Sequence, residues 1–582
     1  MLKAVLRFTW LLRLDRTTRL VILSVALGLV GAGGGALFLW MLRTAESLLL
    51  VPIAGYRTLD VAQTQGMAAA PVLAHPLWWI PVATTLGGLV SGILVFVFAP
   101  EAEGHGTDAA VKAYHAMDGL VRARIPLVKS VASAITIGSG GSAGREGPTA
   151  QIAAGIGSIT ATLLGLPEDE RRLLVLIGMA AGLAAIFKSP LGAAIFSVEI
   201  LYSTVAFEGR ALMYSIIGAA VAYAVTGIFE GWTPLFYLPS VPILARPIDL
   251  VWFLALGVAC GAVGAVLPGI FYHMREFFRR LPVPDIAKPA IGGLLLGLIG
   301  MFVPQLLGGG YGWMQLAING KLAIGLMLAL AAGKMVAMSL TISSGGSGGV
   351  FAPSLYVGTM LGGAMAAVIG AITKAGPDPV SFAVVGMAAL FAGAARVPIA
   401  SLMMAAEMTG GYGLIMGTML AVAASYLVQV ALTRHVMYPT LYQAQVPRPV
   451  DSPVHQRSFY HDVARMLRER RMRLDDDIVG LELAERMEHG LTIPLANGTQ
   501  MLYQADVAAG APAAGTRLRD LKIPDRVLIV SILRGDATLV PDGNTVLAAG
   551  DRMIVAAAPD SMQAFRALIS AAASRPEPEV RR

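Results

Sequence analysis

Two glycine-rich loops hold the residues best suited to chemistry. Gly140-Gly141-Ser142-Ala143-Gly144-Arg145-Glu146-Gly147-Pro148 and Gly345-Gly346-Ser347-Gly348-Gly349-Val350-Phe351-Ala352-Pro353 lie 205 residues apart, and each runs into an apolar stretch, 148–164 and 353–372. Proline suits the first turn of a helix, where the leading N–H groups have no acceptor within the helix. In a bilayer such donors must find a partner, because an unsatisfied one is costly. Two helix N-termini brought together make a positively polarised, water-poor spot whose natural occupant is an anion, and glycine lets the backbone approach it. Either loop alone could serve close helix packing; the pairing favours an anion site. Glu146 stands at the start of the first helix, and an ionisable residue at membrane depth is expensive and usually functional. Its carboxylate can take the place of a mobile anion, and protonation neutralises and releases it, which describes a gate coupled to pH. The alternative role is a structural helix cap.

Other chemistries fare worse. The loops are not followed by Lys-Ser/Thr, so they are no phosphate-binding P-loop. Ser142 as the nucleophile of an intramembrane protease lacks a histidine in an obviously paired segment. The single cysteine, Cys260, lies in an apolar run and reads as a small core residue; it cannot by itself build a disulfide, zinc or iron–sulfur site within one chain. Basic residues form no aromatic-interleaved patch, so no nucleic-acid partner is expected. No cofactor is expected either; the bound species would be the transported ion.

The elements that must position these loops are membrane helices. Of the 582 residues 56% are hydrophobic and 14% charged, against roughly 25% charged in soluble domains; a water-soluble enzyme and a disordered chain are excluded. Residues 451–582 carry 17 basic and 18 acidic residues, whereas the first 450 are charge-poor with a net charge of +8. This predicts a polytopic membrane domain over 17–445, a charged linker and surface helix over 446–503, and a small α+β module over 504–572, with 573–582 a flexible tail. Residues 1–16 read as a cytoplasmic amphipathic segment leading into a retained first helix at 20–40, and positive residues in the short loops orient the protein. Many apolar stretches between Leu20 and Val430 are too short to cross about 30 Å of hydrocarbon untilted, the mark of discontinuous helices. An internal repeat sets the layout. Besides the two loops, Gly178-Met179-Ala180-Ala181 matches Gly386-Met387-Ala388-Ala389, Pro190 and Glu199 match Pro398 and Glu407, and Gly87-Gly88 matches Gly292-Gly293, at offsets of 205 to 208. Two halves follow, about 17–230 and 247–445. In the tail, 527–532 and 552–557 read as strands, Arg534-Gly535-Asp536, Asp542-Gly543-Asn544 and Ala549-Gly550-Asp551 as turns, and 560–573 as a helix capped by Asp560. The run of arginines from Arg465 to Arg473 on the linker helix could touch anionic lipid or be a solvated face.

With these motifs in place, the membrane part resembles the CLC family of chloride channels and proton/chloride antiporters. The resemblance rests on Gly144–Pro148 and Gly348–Pro353, with Phe98-Ala99-Pro100-Glu101 and 190–199 in agreement, and spans about 17–445. It implies an all-α fold of two inverted repeats of tilted, discontinuous helices, in a homodimer with one anion pathway per subunit. It further implies that Glu146 is the gating glutamate and that the backbone of Arg145, Glu146, Gly147, Val350 and Phe351 faces the anion. Tyr442 resembles the tyrosine whose hydroxyl donates to that anion; an interfacial aromatic is its plain alternative. The tail is similar to the TrkA-C (RCK-C) module, which implies a cytoplasmic domain that binds a small ligand or acts as a passive dimer clamp. A bacterial inner-membrane protein with both termini cytoplasmic is the resulting expectation.

Two departures from the family pattern bear on function. Its first filter loop usually reads Gly-Ser-Gly-x-Pro; here it is Gly104-His105-Gly106-Thr107-Asp108. His105 is therefore an anion ligand, a pH sensor, or a side chain that points away and leaves coordination to the backbone around Gly106. Proton-coupled members often carry an acid just after the position of Glu199; here Ile200 stands there and cannot hold a proton. That points to a Glu146-gated channel, with a proton-coupled chloride antiporter as the alternative. Glu199 and its repeat mate Glu407 read as helix-packing or helix-dipole partners. A cation channel, suggested only by the tail, would want carbonyl or acidic rings, which the membrane half does not offer.

Overall fold

The computed structural model describes residues 11–64, 76–239, 247–373, 378–449, 452–454, 492–495, 500–534 and 537–570. The first ten residues, the arginine-rich stretch expected to be a helix, the turn residues Gly535 and Asp536 and the last twelve residues lie outside them. The chain divides into two compact units, Met1–Gln445 and Val446–Arg582.

Among the described residues the first unit is two sets of eight helices. The first set is α1 (Arg16–Ala45, continuing through a wide turn to Ala54), α2 (Ile80–Ile93), α3 (Thr107–Ala116), α4 (Arg124–Gly138), α5 (Glu146–Leu163), α6 (Glu168–Phe187), α7 (Pro190–Glu199) and α8 (Gly209–Glu230). The second set follows in the same order: α9 (Ile248–Arg280), α10 (Lys288–Gly300), α11 (Tyr311–Ile318), α12 (Ile324–Ser343), α13 (Phe351–Thr373), α14 (Pro379–Ala395), α15 (Pro398–Thr409) and α16 (Ile415–Leu432). Among the described residues seven helical segments are long and apolar enough to span a bilayer. Others, such as the 10-residue α7, are not, so the protein is an integral membrane protein built in part from discontinuous helices.

Packing repeats with the sequence. The α5–α6 contact closes through Gly157 and Gly178, where a methyl group would strike the carbonyls of Leu174 and Ala153; the α13–α14 contact closes through Gly362 and Gly386, against Phe382 and Gly358. Across the halves, α2 meets α10 through Gly88 against Pro289 and Gly293 against Thr84. Apolar burial drives little helix association in lipid, so backbone approach over small residues does the work. Nearly every residue of α6 and α14 is buried, which makes this pair of helices the core of the unit.

Two pairs of polar residues obey the same relation. Lys129 on α4 and Lys334 on α12, 205 residues apart, are both fully buried. Lys129 Nζ donates to the carbonyls of Ala102 (2.9 Å) and Gly104 (2.7 Å); Lys334 Nζ donates to those of Leu306 (2.9 Å) and Gly308 (2.7 Å). Glu199, at the end of α7, accepts from the N–H groups of Ile399 (3.1 Å) and Ala400 (2.7 Å) at the start of α15. Glu407 on α15 returns the arrangement, accepting from Leu191 N–H (3.2 Å), Gly192 N–H (2.8 Å) and the Ser189 hydroxyl (2.6 Å) at the start of α7. Each carboxylate caps its mate's helix, so the packing role expected for this pair is what the geometry provides.

The second unit holds a five-stranded antiparallel sheet, ordered β1-β2-β5-β3-β4, from β1 (Ile493–Pro494), β2 (Met501–Asp506), β3 (Val527–Arg534), β4 (Ala537–Leu539) and β5 (Arg552–Ala557). Helix α17 (Pro559–Ile569) packs Met562, Phe565 and Ile569 on a core with Val507, Ile529, Ile532, Met553 and Val555. Asp560 does not cap it, contrary to expectation: Pro559 takes the first helical position and Ala558 the cap, which leaves Asp560 in the first turn. The Arg534 guanidinium grips the buried Asp551 carboxylate at 2.8 and 2.7 Å, joining β3 to the turn before β5.

Candidate functional site

The two glycine loops meet. Gly144 N–H donates to Gly349 O and Gly349 N–H to Gly144 O, each at 2.7 Å, an antiparallel bridge that brings the starts of α5 and α13 together. A third loop joins them. Gly104 N–H donates to Gly346 O and Gly348 N–H to Gly104 O, each at 3.3 Å, and a side chain at Gly147 would overlap the His105 carbonyl. Gly104 and Gly106 both have positive φ, +74° and +80°, which sterics reserve largely for glycine. Both helices begin two residues earlier than the prolines imply: Glu146 and Phe351 are the first helical residues, and Pro148 and Pro353 sit within the first turn.

The expected site residues fall around this junction. Glu146 is 2% exposed. One carboxylate oxygen accepts from the Tyr311 hydroxyl; the other lies so close to Gly144 that any side chain there would overlap it, and it has no hydrogen-bond partner among the described residues. Arg145 turns its side chain away from the junction, with its guanidinium 4.6 Å over the Tyr311 ring and an N–H 3.4 Å from Ile186 O. What Arg145 and Gly147 offer the junction is backbone. Val350 and Phe351 are buried, and the Phe351 ring packs with Phe187 (4.8 Å) and Phe391 (4.4 Å). Tyr442 is 1% exposed and stands edge-on to the His105 ring at 5.2 Å. His105 is buried between Tyr442 and Phe271, and its Nδ1 has no hydrogen-bond partner among the described residues. Ile200 is fully buried at the end of α7. Asp108, where the usual filter loop has proline, accepts from Ala444 N–H at 2.7 Å and so ties the start of α3 to the segment that carries Tyr442.

Reading the sequence alone missed Tyr311 and the two buried lysines. Lys129 and Lys334 had a signal, a lone cation in an apolar helix repeated at the offset of the glycine loops. Tyr311 had a weaker one, since it follows Gly308-Gly309-Gly310, the second-half counterpart of Gly104-His105-Gly106.

An open vestibule of about 950 Å³ leads to this place from one side; Tyr311 and Arg145 line it, with Arg43, Arg57, Lys188 and Glu46 among the outer residues. Ser142, weighed above as a nucleophile, has a buried hydroxyl with no hydrogen-bonded base among the described residues. The arrangement brings two helix starts together, with one buried carboxyl group, Glu146, at their junction.

Known proteins share this arrangement of the chain. Residues 87–430 match the family model described as voltage gated chloride channel, and residues 502–570 match the TrkA-C domain. A ClcB-like protein of Ralstonia nicotianae is 32% identical over 375 residues, which cover 62% of this chain and 85% of the relative. The H(+)/Cl(-) exchange transporter ClcA of Salmonella paratyphi A is 31% identical over 406 residues, covering 67% and 85%. Among solved structures, a slow cyanobacterial Cl-/H+ antiporter superposes with a TM-score of 0.63 at 23% identity, covering 73% of this chain and 96% of that one. A CLC-type fluoride/proton antiporter gives 0.60 at 22%, covering 74% and 98%. At those identities the structures speak for the fold of two inverted repeats. The sequence matches carry the family: this chain belongs to the CLC family of voltage gated chloride channels and proton/chloride exchangers, and its membrane unit is one for anion transport.

Proposed function

We propose that the protein exchanges chloride for protons across the membrane, with Glu146 as the group that both gates the anion path and carries the proton. The observation that carries this reading is a lone buried carboxyl group at the junction of two helix N-termini. As a carboxylate, Glu146 competes with chloride for the N–H groups of the α5 and α13 starts; protonated, it loses that claim and yields the place. One group with two mutually exclusive occupants, a proton or the neighbourhood of an anion, links the two ions. Backbone at Arg145, Glu146, Gly147, Gly106, Val350 and Phe351 forms the anion's cradle, the Tyr442 hydroxyl donates to it, and the buried Nδ1 of His105 supplies a further donor where a serine is usual.

Ile200 argued for passive conduction, but the Salmonella relatives are named as exchangers, and they weigh for exchange over the channel reading. In this reading the protein is a homodimer in a bacterial inner membrane with one pathway per subunit and both termini in the cytoplasm. The TrkA-C unit is then a cytoplasmic regulator open to a small ligand, and no cofactor takes part.

The test is chloride flux from liposomes holding the purified full chain, read together with external pH. An outward chloride gradient should drive protons inward against their own gradient. Chloride efflux that moves no protons would replace exchange with the channel reading.

A further inference from the structure

Tyr442 is buried beside His105, yet the chain that carries it is neither helix nor strand: residues 436–445 run irregularly after α16. A backbone without its own ladder is held by groups from elsewhere, and here the ties come on both sides of the tyrosine. Ahead of it, Leu441 N–H donates to Ala394 O at the end of α14 (3.0 Å), and Leu441 O accepts from the Tyr272 hydroxyl on α9 (2.7 Å). Thr440 Oγ1 closes a local loop, accepting from Tyr442 N–H (3.2 Å) and donating to Tyr442 O (2.9 Å). Behind it, Ala444 N–H donates to an Asp108 carboxylate oxygen (2.7 Å), and Gln445 Nε2 donates to Tyr202 O (3.2 Å) and Ala395 O (3.1 Å).

Of these partners Asp108 is the one that belongs to the loop of His105. It lies in the first turn of α3, where an acid ordinarily serves the start of its own helix. That start has no side-chain cap; the carboxylate instead reaches a residue 336 positions away. The charges of Arg275 on α9 and Lys112 on α3 face it. A proline here, as in the usual filter loop, has no side-chain acceptor to give Ala444, so the tie belongs to this chain's departure from the pattern.

What the tie sets is the relation between two rings. His105 and Tyr442 stand edge-on at 5.2 Å with 78° between their planes. Phe271 backs His105 at 6.0 Å, and Tyr272, which holds Leu441, packs on Phe271 at 5.1 Å. One side of the pair is thus fixed from α9 and the other from the start of α3. A site that reads its ligand through a few polar groups needs each held to about 0.5 Å by the residues behind it. Donors free to part accept larger anions, and specificity is the difference between the two affinities.

We propose that Asp108 is a positioning residue for anion selectivity, locking the Tyr442 segment to the His105 loop so that their donors favour chloride over larger anions. The inference rests on the anion cradle proposed above, in which Tyr442 and His105 both donate. Asp108 does not touch the anion; it acts through the place it gives Tyr442.

The experiment compares initial rates of nitrate and chloride movement in liposomes holding full-length variants. D108A and D108P, which remove the acceptor of Ala444 N–H, should each raise the nitrate-to-chloride ratio about threefold or more, the scale of one lost hydrogen bond. Proline suits the first helical turn, so D108P answers the question if D108A is not monodisperse. D108N keeps an acceptor oxygen and should keep the parent's ratio. Y442F should shift the ratio by itself, and D108A added to Y442F should shift it no further. An unchanged ratio in D108A and D108P, beside a shifted Y442F, would overturn the role of Asp108 and leave the cradle standing. D108N shifting as far as D108A would overturn it too, by making the charge rather than the tie decisive. A Y442F variant with the parent's ratio would remove Tyr442 from the cradle, and this role with it.

Discussion

The two halves of the membrane unit share a scaffold and differ in chemistry. Lys129 and Lys334 hold equivalent loops, and Glu199 and Glu407 cap each other's helices. At an offset of 205 Glu146 corresponds to Phe351 and Arg145 to Val350, and at 204 His105 corresponds to Gly309. Residues kept in both copies build the frame; residues that break the relation sit where the loops meet. Tyr311 sharpens the point: its counterpart at the start of α3 is Thr107, and only the tyrosine reaches Glu146. A duplicated frame brings two helix starts together, and divergence then places a single acid between them.

The largest effect we expect is from breaking the shared frame. Lys334→Ala takes the donor from the buried carbonyls of Leu306 and Gly308, at about 1–3 kcal/mol per group, whereas after Lys129→Ala the carbonyls of Ala102 and Gly104 keep the Ser347 hydroxyl and Gly348 N–H. Both should lower the thermal midpoint in detergent, Lys334→Ala the more steeply; an unchanged midpoint in either variant would break the shared frame. Next come Glu199→Gln and Glu407→Gln. Loss of the charge-assisted cap should cost about 1–2 kcal/mol each, with Glu407→Gln the worse because three donors depend on it. If instead Glu199→Gln abolished proton movement at normal stability, Glu199 would belong to the chemistry and not to the frame.

The smallest structural change with a functional signature is Tyr311→Phe. The phenol donates to the Glu146 carboxylate and so favours its charged form. Without it the carboxylate loses a donor worth about 1 kcal/mol, and the pH profile of chloride flux should depart from the parent's. An unmoved pH profile would make Tyr311 a packing residue.

The sequence disclosed the parts of the site that are written locally. Glycine, proline and a charged residue in an apolar run are rare enough together to mark Glu146 and its mate loop, and constant offsets disclosed the frame. The rest depends on contacts between distant segments. Tyr311 lies 165 residues from Glu146. In the tail, β2 escaped notice because Met501–Asp506 holds no β-branched residue; its place is set by pairing with β5. The orientation of His105 likewise needed Phe271 and Tyr442, which its own loop does not contain.

The most direct test of the central claim is Glu146→Gln in the full chain, with chloride and proton movement recorded together from liposomes. Glutamine keeps the shape and removes the ionisation. The account predicts chloride flux that no longer responds to pH and proton movement reduced by about tenfold or more. Flux that retains the parent's pH response, with protons still moving, would contradict it.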